Sequence, residues 1–423
     1  MAKVTKVQEK PTSKWKPLPL TTVELQKNAS RFLRMNSQQA MTVAEGLYNK
    51  GFISYPRTET DRFDKGMNLQ ALVEKQIQDH RWGPYARNLI NGAFRQPRQG
   101  RHDDKAHPPI HPVTWVNSAS LANDNERRVY EFITRRFLAC CSEDAKGQAT
   151  DVEIEYGDET FAAKGVVVLE RNYLDVYPYE KWKNSTTLPK FTLGERFEPT
   201  EAMMSEGETC PPGYLMEPDL IALMDANGIG TDATMAEHIQ KIKDRNYVFT
   251  RPKAGGRGGG EGAENDDDEE EDDTPAAGRG GRGGRGGRGG RGGRAGRGDA
   301  AAGGGGGGGV EEFVPSTLGV ALVDGYDKMG FDISLSKPFL RKDMELRMKD
   351  ICEGRVSRDV VLRESLRQYK QVYQQSQERL GLLKAVSRHT VIFAFLCLYY
   401  RILLITINFQ SCRRYVLGQG GGQ

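Results

Sequence analysis

A tyrosine and an arginine two residues apart, Tyr55 and Arg57, are the first candidates for chemistry in this chain. Pro56 between them disfavours the α region at Tyr55, so we expect an extended backbone in which alternate side chains share a face. A guanidinium beside a phenol favours removal of the phenol's proton, and it can also hold a phosphate through two hydrogen bonds. The pair therefore predicts a tyrosine nucleophile that attacks a phosphate. The tripeptide alone also fits a strand-end tyrosine beside a surface arginine.

The residues before Tyr55 predict a rigid mount for it. Asn36 or Ser37 can cap a helix whose apolar residues recur at helical spacing, and Gly51 is placed to end that helix. The short apolar run from Phe52 to Tyr55 then predicts a strand. The candidate nucleophile is therefore expected at a helix-to-strand junction.

Residues 54–60, Ser-Tyr-Pro-Arg-Thr-Glu-Thr, resemble the active-site segment of the type IA DNA topoisomerases. Two further stretches follow in the order found in that family: Ala-His-Pro-Pro-Ile-His-Pro at 106–112 and Gly-Ile-Gly-Thr-Asp-Ala-Thr at 228–234. The resemblance is to the topoisomerase III alpha branch. It runs from about Val4 to about Val386 and is broken by one insertion.

The resemblance implies a role for each of five residues. Tyr55 and Arg57 would be catalytic, and Arg57, His107, Thr231 and Thr234 would contact single-stranded DNA. No equally firm role follows for His111. Without the resemblance, the proline-rich stretch also fits a rigid linker with solvated histidines. The Thr231 stretch likewise fits an ordinary helix–turn–helix junction, in which Thr231 caps a second helix.

The reaction implied by the resemblance is transient cleavage of one DNA strand by Tyr55. It passes through a 5′-phosphotyrosyl bond, strand passage and religation, and it needs no ATP because a phosphoester is conserved. Members of the family bind Mg²⁺ in an N-terminal Toprim domain. Nothing before Ser54 has that acidic pattern, and no metal-ligating residues are predicted here. We therefore expect a chain that is incomplete at its N-terminus and does not relax DNA alone.

Two alternatives from other functional classes stay open. One is a non-catalytic nucleic-acid-binding protein that uses the DNA groove and the Arg-Gly repeats of the insertion. The other, with less support, is a membrane-tethered adaptor. The resemblance also implies helicase and OB-fold partner proteins and a nuclear location.

The predicted fold class is multidomain α+β, an incomplete type IA toroid with a helical tyrosine domain, a β-rich arch and a helical segment. In the tyrosine domain, a helix over 124–141 has arginines on a face that we expect to be solvated. The predicted divisions are 1–35, extended strands that lead into the arch; 36–149, the tyrosine domain; 150–212, the arch; 213–250 with 313–386, the helical single-stranded-DNA groove; 251–312, an insertion; and 387–423, a tail.

The insertion and the tail differ in composition from the rest. Residues 266–273 are eight consecutive acids, followed by Arg-Gly-Gly repeats, and this composition predicts disorder with binding to single-stranded DNA and also to RNA. Residues 391–409 are 19 mostly apolar residues with Arg401 in the middle. Because a central arginine opposes insertion into a bilayer, we interpret the tail as an aberrant end, and a membrane anchor is the alternative.

Composition excludes some classes of protein. The net charge is only +3, so overall charge does not identify a partner. None of the six cysteines lies in a Cys-x-x-Cys spacing, which argues against a zinc ribbon and a disulfide framework. The N-terminal residues also lack the apolar segment of a secretory signal.

Overall fold

The computed structural model describes residues 1–182, 188–204, 206–207, 209, 211–232, 234–253, 311–331 and 336–382. The chain divides into two compact units, Met1–Ile221 with Pro252–Glu312 and Ala222–Arg251 with Phe313–Gln423. Most of the predicted insertion and all of the predicted tail lie outside the described residues. Two edges of the insertion are described, however, and they lie in strands rather than in disordered chain.

Among the described residues, the first unit contains four strands, five α-helices and the start of a sixth α-helix. They are β1 Ala2–Lys14, α1 Thr22–Leu33, α2 Ser37–Asn49, α3 Leu69–Lys75, α4 Gly83–Asn88, α5 Asp124–Cys140, β2 Ala145–Tyr156, β3 Glu159–Glu170, β4 Arg196–Phe197 and α6 Glu217–Ala226.

A four-stranded antiparallel sheet has the order β3-β2-β1-β4. Strands β2 and β3 form a long antiparallel hairpin within the predicted β-rich arch and just before it. Gly157 makes the turn with a φ of 65°, which only glycine adopts without strain. The partner of β2 on its other side is β1, so the N-terminal residues belong to the same sheet as the predicted arch.

Helices α1, α2 and α5 enclose the main hydrophobic core. Buried residues of this core run from Leu20 to Tyr177, on both sides of the predicted 36–149 domain. The prediction that 1–35 is wholly extended is wrong, because 22–33 form α1. The Thr21 side chain accepts a hydrogen bond from the Glu24 N–H at 3.3 Å and starts this helix, whose apolar side chains are buried in the core.

The arginines of α5 are only partly a solvated face, since Arg127 is exposed but Arg135 and Arg136 donate to groups inside this unit. Arg136 is 7% exposed, and it donates to the Leu18 carbonyl at 3.0 Å and to the Tyr177 hydroxyl at 3.2 Å. Arg135 donates to the Val176 carbonyl at 3.1 Å. For Arg135 and Arg136 the prediction of solvation was wrong, because loop carbonyls, which the helical pattern does not reveal, need donors inside this unit.

The second unit is mainly helical where it is described. After the end of α6 come α7 Met235–Asp244, β5 Val248–Pro252, β6 Glu311–Pro315, α8 Thr317–Lys328, α9 Phe339–Cys352 and α10 Arg358–Glu378. Strands β5 and β6 are hydrogen-bonded neighbours. The described residues on either side of 254–310 therefore belong to adjacent strands or lie next to them. Among the described helices, none has the length and apolar character needed to span a bilayer.

Candidate active site around Tyr55

The mount of Tyr55 is the end of α2 and the turn after it. Gly51 has a φ of 75°, and the Phe52 N–H donates to the Leu47 carbonyl at 3.0 Å, which closes the helix. The predicted strand over 52–55 is reduced to one bridge between Ile53 and Pro112. The ladder cannot extend because the partner segment is rich in proline, which has no N–H to donate.

The proline-rich segment 108–112 is fixed beside the nucleophile by a few hydrogen bonds. The Ser54 N–H donates to the His111 carbonyl at 2.9 Å, and the His111 N–H donates to Ser54 Oγ at 3.0 Å. The Val113 N–H donates to the Phe52 carbonyl at 3.0 Å. This pairing places the start of the segment, and with it His107, next to Tyr55.

Tyr55 is half-buried between two other rings. The His107 ring lies 4.8 Å away, centroid to centroid, at an interplanar angle of 40°. The Tyr48 ring lies 5.2 Å away in an edge-on arrangement at 69°. Edge-on and tilted ring pairs at these distances are favourable, so Tyr55 is held by its neighbours on two sides.

Arg57 is held by a carboxylate of α2. Its Nε and Nη2 donate to Glu45 Oε1 at 2.9 and 2.6 Å. Glu45 and Tyr48 are three residues apart and so occupy one face of the helix. Tyr55 and Arg57 thus contact neighbouring positions of the same helix face, which agrees with the expectation that their side chains lie together.

A second carboxylate, that of Asp104, organises the loop that carries His107. Its Oδ1 accepts from the Ala106 and His107 N–H groups, both at 2.8 Å, and its Oδ2 accepts from Thr58 Oγ1 at 3.1 Å. Burial opposes ionisation of Asp104, but these hydrogen bonds outweigh it, and its pKa lies below the usual value.

His111 lies in the hydrophobic core and not at the site. It is 4% exposed, its Nδ1 is 2.7 Å from the Pro109 carbonyl oxygen, and its ring packs against Phe63 and Phe137. Burial lowers the pKa of His111 despite the Pro109 carbonyl, which has the opposite effect. The imidazole therefore has a structural role in the packing of this region.

Thr231 and Thr234 lie in the second unit, in the turn between α6 and α7. Gly228 and Gly230 have φ values of 61° and 85°. The Thr231 N–H donates to Thr234 Oγ1 at 2.9 Å, and α7 begins at Met235. The prediction that Thr231 caps this helix is wrong, since Thr234 occupies the cap position and its hydroxyl faces back into the turn.

In the first unit, the structure thus places Tyr55 against His107 and Tyr48, and it holds Arg57 on the same face of α2 through Glu45. The sequence reasoning missed three of their neighbours: Glu45, Tyr48 and Asp104. The sequence could have indicated Glu45 and Tyr48, since they are three residues apart on the helix that ends just before Tyr55. The sequence signal for Asp104 was weaker. An aspartate in a loop typically accepts hydrogen bonds from N–H groups two or three residues later, and His107 is three residues after Asp104.

The described residues include no group of three or more histidine, cysteine, aspartate or glutamate side chains placed to hold a metal ion. The carboxylates beside the candidate site are already engaged, Glu45 by Arg57 and Asp104 by loop N–H groups. These residues therefore do not fit a Mg²⁺ site.

A family model described as DNA topoisomerase matches residues 1–255 of this chain. The chain belongs to the DNA topoisomerase family. The predicted recognition and the predicted multidomain α+β fold class are both confirmed. Curated relatives include DNA topoisomerase 3 of Schizosaccharomyces pombe, 45% identical over 387 residues, and human DNA topoisomerase 3-alpha, 44% identical over 373 residues.

This topoisomerase-family chain is shorter than the relatives it matches. The matched region is 92% of the chain and 54% of the S. pombe protein, and 88% of the chain and 31% of the human protein. Among solved structures, full-length topoisomerase I of Thermotoga maritima superposes with a TM-score of 0.62 at 18% identity, over 89% of this chain and 53% of that one. That likeness shows the fold of the topoisomerase family.

Proposed function

We propose that this chain performs the strand-cleavage and religation chemistry of a type IA DNA topoisomerase, with Tyr55 as the nucleophile. The observation that supports this best is the arrangement at Tyr55. Its ring is held between Tyr48 and His107, and Glu45 holds Arg57 against the same helix face. A nucleophile needs a rigid mount and a fixed cation beside it, and this arrangement provides both.

The proposed step is an exchange of phosphoesters. Tyr55 Oη attacks a DNA phosphorus, the bond from phosphorus to the 3′ oxygen breaks, and the phenolic proton ends on that 3′ oxygen. The products are a 5′-phosphotyrosyl bond and a free 3′-hydroxyl. Arg57 and His107 bind the phosphate oxygens, on which negative charge develops. Religation is the reverse attack by the 3′-hydroxyl, so no ATP is consumed.

Single-stranded DNA is the proposed substrate. In the second unit, the turn at Thr231 and Thr234 is proposed to contact the DNA backbone through hydroxyl and N–H groups. Dependence on Mg²⁺, helicase and OB-fold partner proteins and a nuclear location are proposed from family membership alone. Binding of RNA by the Arg-Gly repeats is proposed from their composition.

The test is a covalent-adduct assay with single-stranded oligonucleotides in Mg²⁺. The chain is assayed alone and together with the Toprim domain of a family member, since the family's metal site is expected there. Tyrosine linked to a 5′ phosphate retains the downstream DNA, so a 3′-labelled oligonucleotide should migrate with the protein on a denaturing gel. A 5′-labelled one should yield only a shorter free fragment.

Two variants make the assay specific. Tyr55→Phe should abolish the adduct and leave DNA binding intact, because only the nucleophilic oxygen is lost. Tyr156→Phe, at an exposed tyrosine of β2, is the matched control and should behave as wild type. An adduct that survives Tyr55→Phe, or no adduct in the supplemented wild-type reaction, would contradict the proposed function.

A further inference from the structure

We propose that Asp104 is a positioning residue that holds the His107 imidazole beside Tyr55 and fixes which ring nitrogen faces the DNA phosphate. The proposal rests on the proposed function for its catalytic consequence. The part of the proposal that concerns the position of the His107 ring refers to the free protein, and it can be tested without any DNA.

The contacts of Asp104 cover both the backbone and the ring of His107. Oδ1 accepts from the His107 N–H at 2.8 Å, which fixes the backbone at that residue. Oδ2 lies 3.6 Å from His107 Nδ1, too long for a hydrogen bond but within the range of an electrostatic contact. One carboxylate therefore holds His107 at two points.

Asp104 is itself anchored to the segment that follows the nucleophile. Its Oδ2 accepts from Thr58 Oγ1 at 3.1 Å, and its N–H donates to Thr60 Oγ1 at 3.0 Å. Thr58 is completely buried, and its N–H donates to Thr22 Oγ1 at 2.8 Å. The position of His107 is thus set relative to the chain just after Arg57 and, through Thr22, relative to α1.

The turn that Asp104 organises would not hold its shape unaided. Lys105, inside it, has a φ of 57°, a left-handed conformation that is unfavourable for a residue other than glycine. The hydrogen bonds to Asp104 offset this cost. Strained residues that surrounding contacts hold in place are often found at functional sites.

The consequence for chemistry concerns the two nitrogens of the imidazole. A carboxylate beside Nδ1 keeps the proton on that nitrogen, and the partner of one ring nitrogen decides the role of the other. When the ring carries a proton on both nitrogens, Nδ1–H faces Asp104 and Nε2–H is the donor that remains for a DNA phosphate oxygen. Without the carboxylate, the ring of His107, whose side chain is 42% exposed, would rotate and exchange tautomers.

A pair of adjacent aspartates gives a matched test. Asp104→Asn retains a side-chain oxygen for the loop N–H groups, as asparagine does in such turns, but removes the charge that faces Nδ1. Asp103→Asn is the control, because Asp103 accepts from the Lys105 N–H at 2.8 Å and pairs with Arg62. We expect Asp104→Asn to slow adduct formation about tenfold, a loss of about 1.4 kcal/mol, with an unchanged DNA Kd. Asp103→Asn should change the rate less than about twofold.

A double variant shows whether Asp104 acts through His107. If it does, Asp104→Asn should have little further effect in a His107→Gln background. Effects that simply multiply would overturn the proposal, as would equal losses in the Asp103 and Asp104 variants.

The decisive measurement does not need activity. The chain has six histidines, so ¹⁵N-histidine labelling gives few signals, and His107→Gln assigns the one of interest. The wild-type ring should show a proton on Nδ1, and Asp104→Asn should move the ring nitrogen shifts while Asp103→Asn should not. Identical His107 shifts in wild type and Asp104→Asn would overturn the proposal. If these shifts change as expected but no adduct forms, the proposed function fails and the positioning role stands.

Discussion

The ion pair between Glu45 and Arg57 allows a prediction that separates stability from chemistry. Glu45 Oε1 accepts two hydrogen bonds from Arg57, at 2.9 and 2.6 Å, but the Glu45 side chain is 38% exposed and the Arg57 side chain 27%. Exposed ion pairs contribute about 0–1 kcal/mol, and charge-assisted hydrogen bonds about 1.5–3 kcal/mol. For this half-exposed pair we expect a value of about 1 kcal/mol.

Glu45→Ala should therefore lower the free energy of unfolding by about 1 kcal/mol or less, since alanine is also the better helix former. If the pair serves to aim Arg57 at the phosphate, the same loss should appear in the barrier to cleavage. It would slow adduct formation about fivefold. The assay is the rate of adduct formation with 3′-labelled single-stranded DNA at saturating DNA concentration, alongside urea unfolding.

The matched control is the ion pair at the end of the same helix. Glu126 accepts from Lys50 Nζ at 2.7 Å and from the Ala122 N–H at 2.9 Å, and its side chain is only 11% exposed. Glu126→Ala should cost more stability, about 2 kcal/mol, and leave the adduct rate unchanged. A Glu45→Ala protein that forms the adduct at the wild-type rate would refute the reasoning, and a faster one would show that Glu45 competes with DNA for Arg57.

Three further predictions concern stability. Gly319→Ala should destabilise the second unit by more than about 1 kcal/mol, because an added Cβ would lie 2.2 Å from the Tyr247 carbonyl oxygen. Replacing 254–310 by a short Gly-Ser linker should change the free energy of unfolding by less than about 0.5 kcal/mol, since β5 and β6 are already neighbours, and should weaken the salt dependence of nucleic-acid binding. Burial opposes ionisation of Asp79, but hydrogen bonds from Arg81 hold its pKa below the usual value. Its stabilising effect should thus be complete above about pH 4 and be lost as the pH falls through the lowered pKa.

Urea unfolding at several pH values checks the predicted changes in stability, and nucleic-acid binding at several salt concentrations checks the predicted salt dependence. Gly381→Ala is the control for Gly319, because an added Cβ there meets no atom within 4 Å. An Asp79→Asn protein that loses as much stability on acidification as wild type would contradict the assignment to Asp79. An unchanged salt slope without 254–310 would mean that its arginines do not contact phosphates.

The mount of Tyr55 could be predicted because its causes are local. The helical spacing before Gly51 and the fixed backbone at Pro56 are properties of neighbouring residues, and the structure has α2 and its turn where they indicate. The start of α1 was also readable, since Thr21 followed by Glu24 is a capping-box pattern. It was overlooked because the prolines just before it suggested extended chain.

The partners of the candidate site could not be predicted, because they depend on tertiary contacts. Glu45 is 12 residues from Arg57, and Asp104 is 46 residues from Thr58. The residues next to either carboxylate do not indicate which distant group it will contact. The same holds for Arg136, whose acceptors are the Leu18 carbonyl and the Tyr177 hydroxyl. Helical periodicity could not distinguish this buried donor from a solvated one.

The scarcity of hydrogen bonds between the Tyr55 segment and 108–113 has a consequence for hydrogen exchange. Because prolines in 108–112 have no amide proton, the pairing depends on three N–H donors, those of Ser54, His111 and Val113. In deuterated solvent these three amides should exchange together, at the rate at which the segment separates from Tyr55. Their exchange rate would therefore measure how often this segment separates from Tyr55. It can be measured in the free protein and again with a DNA strand bound.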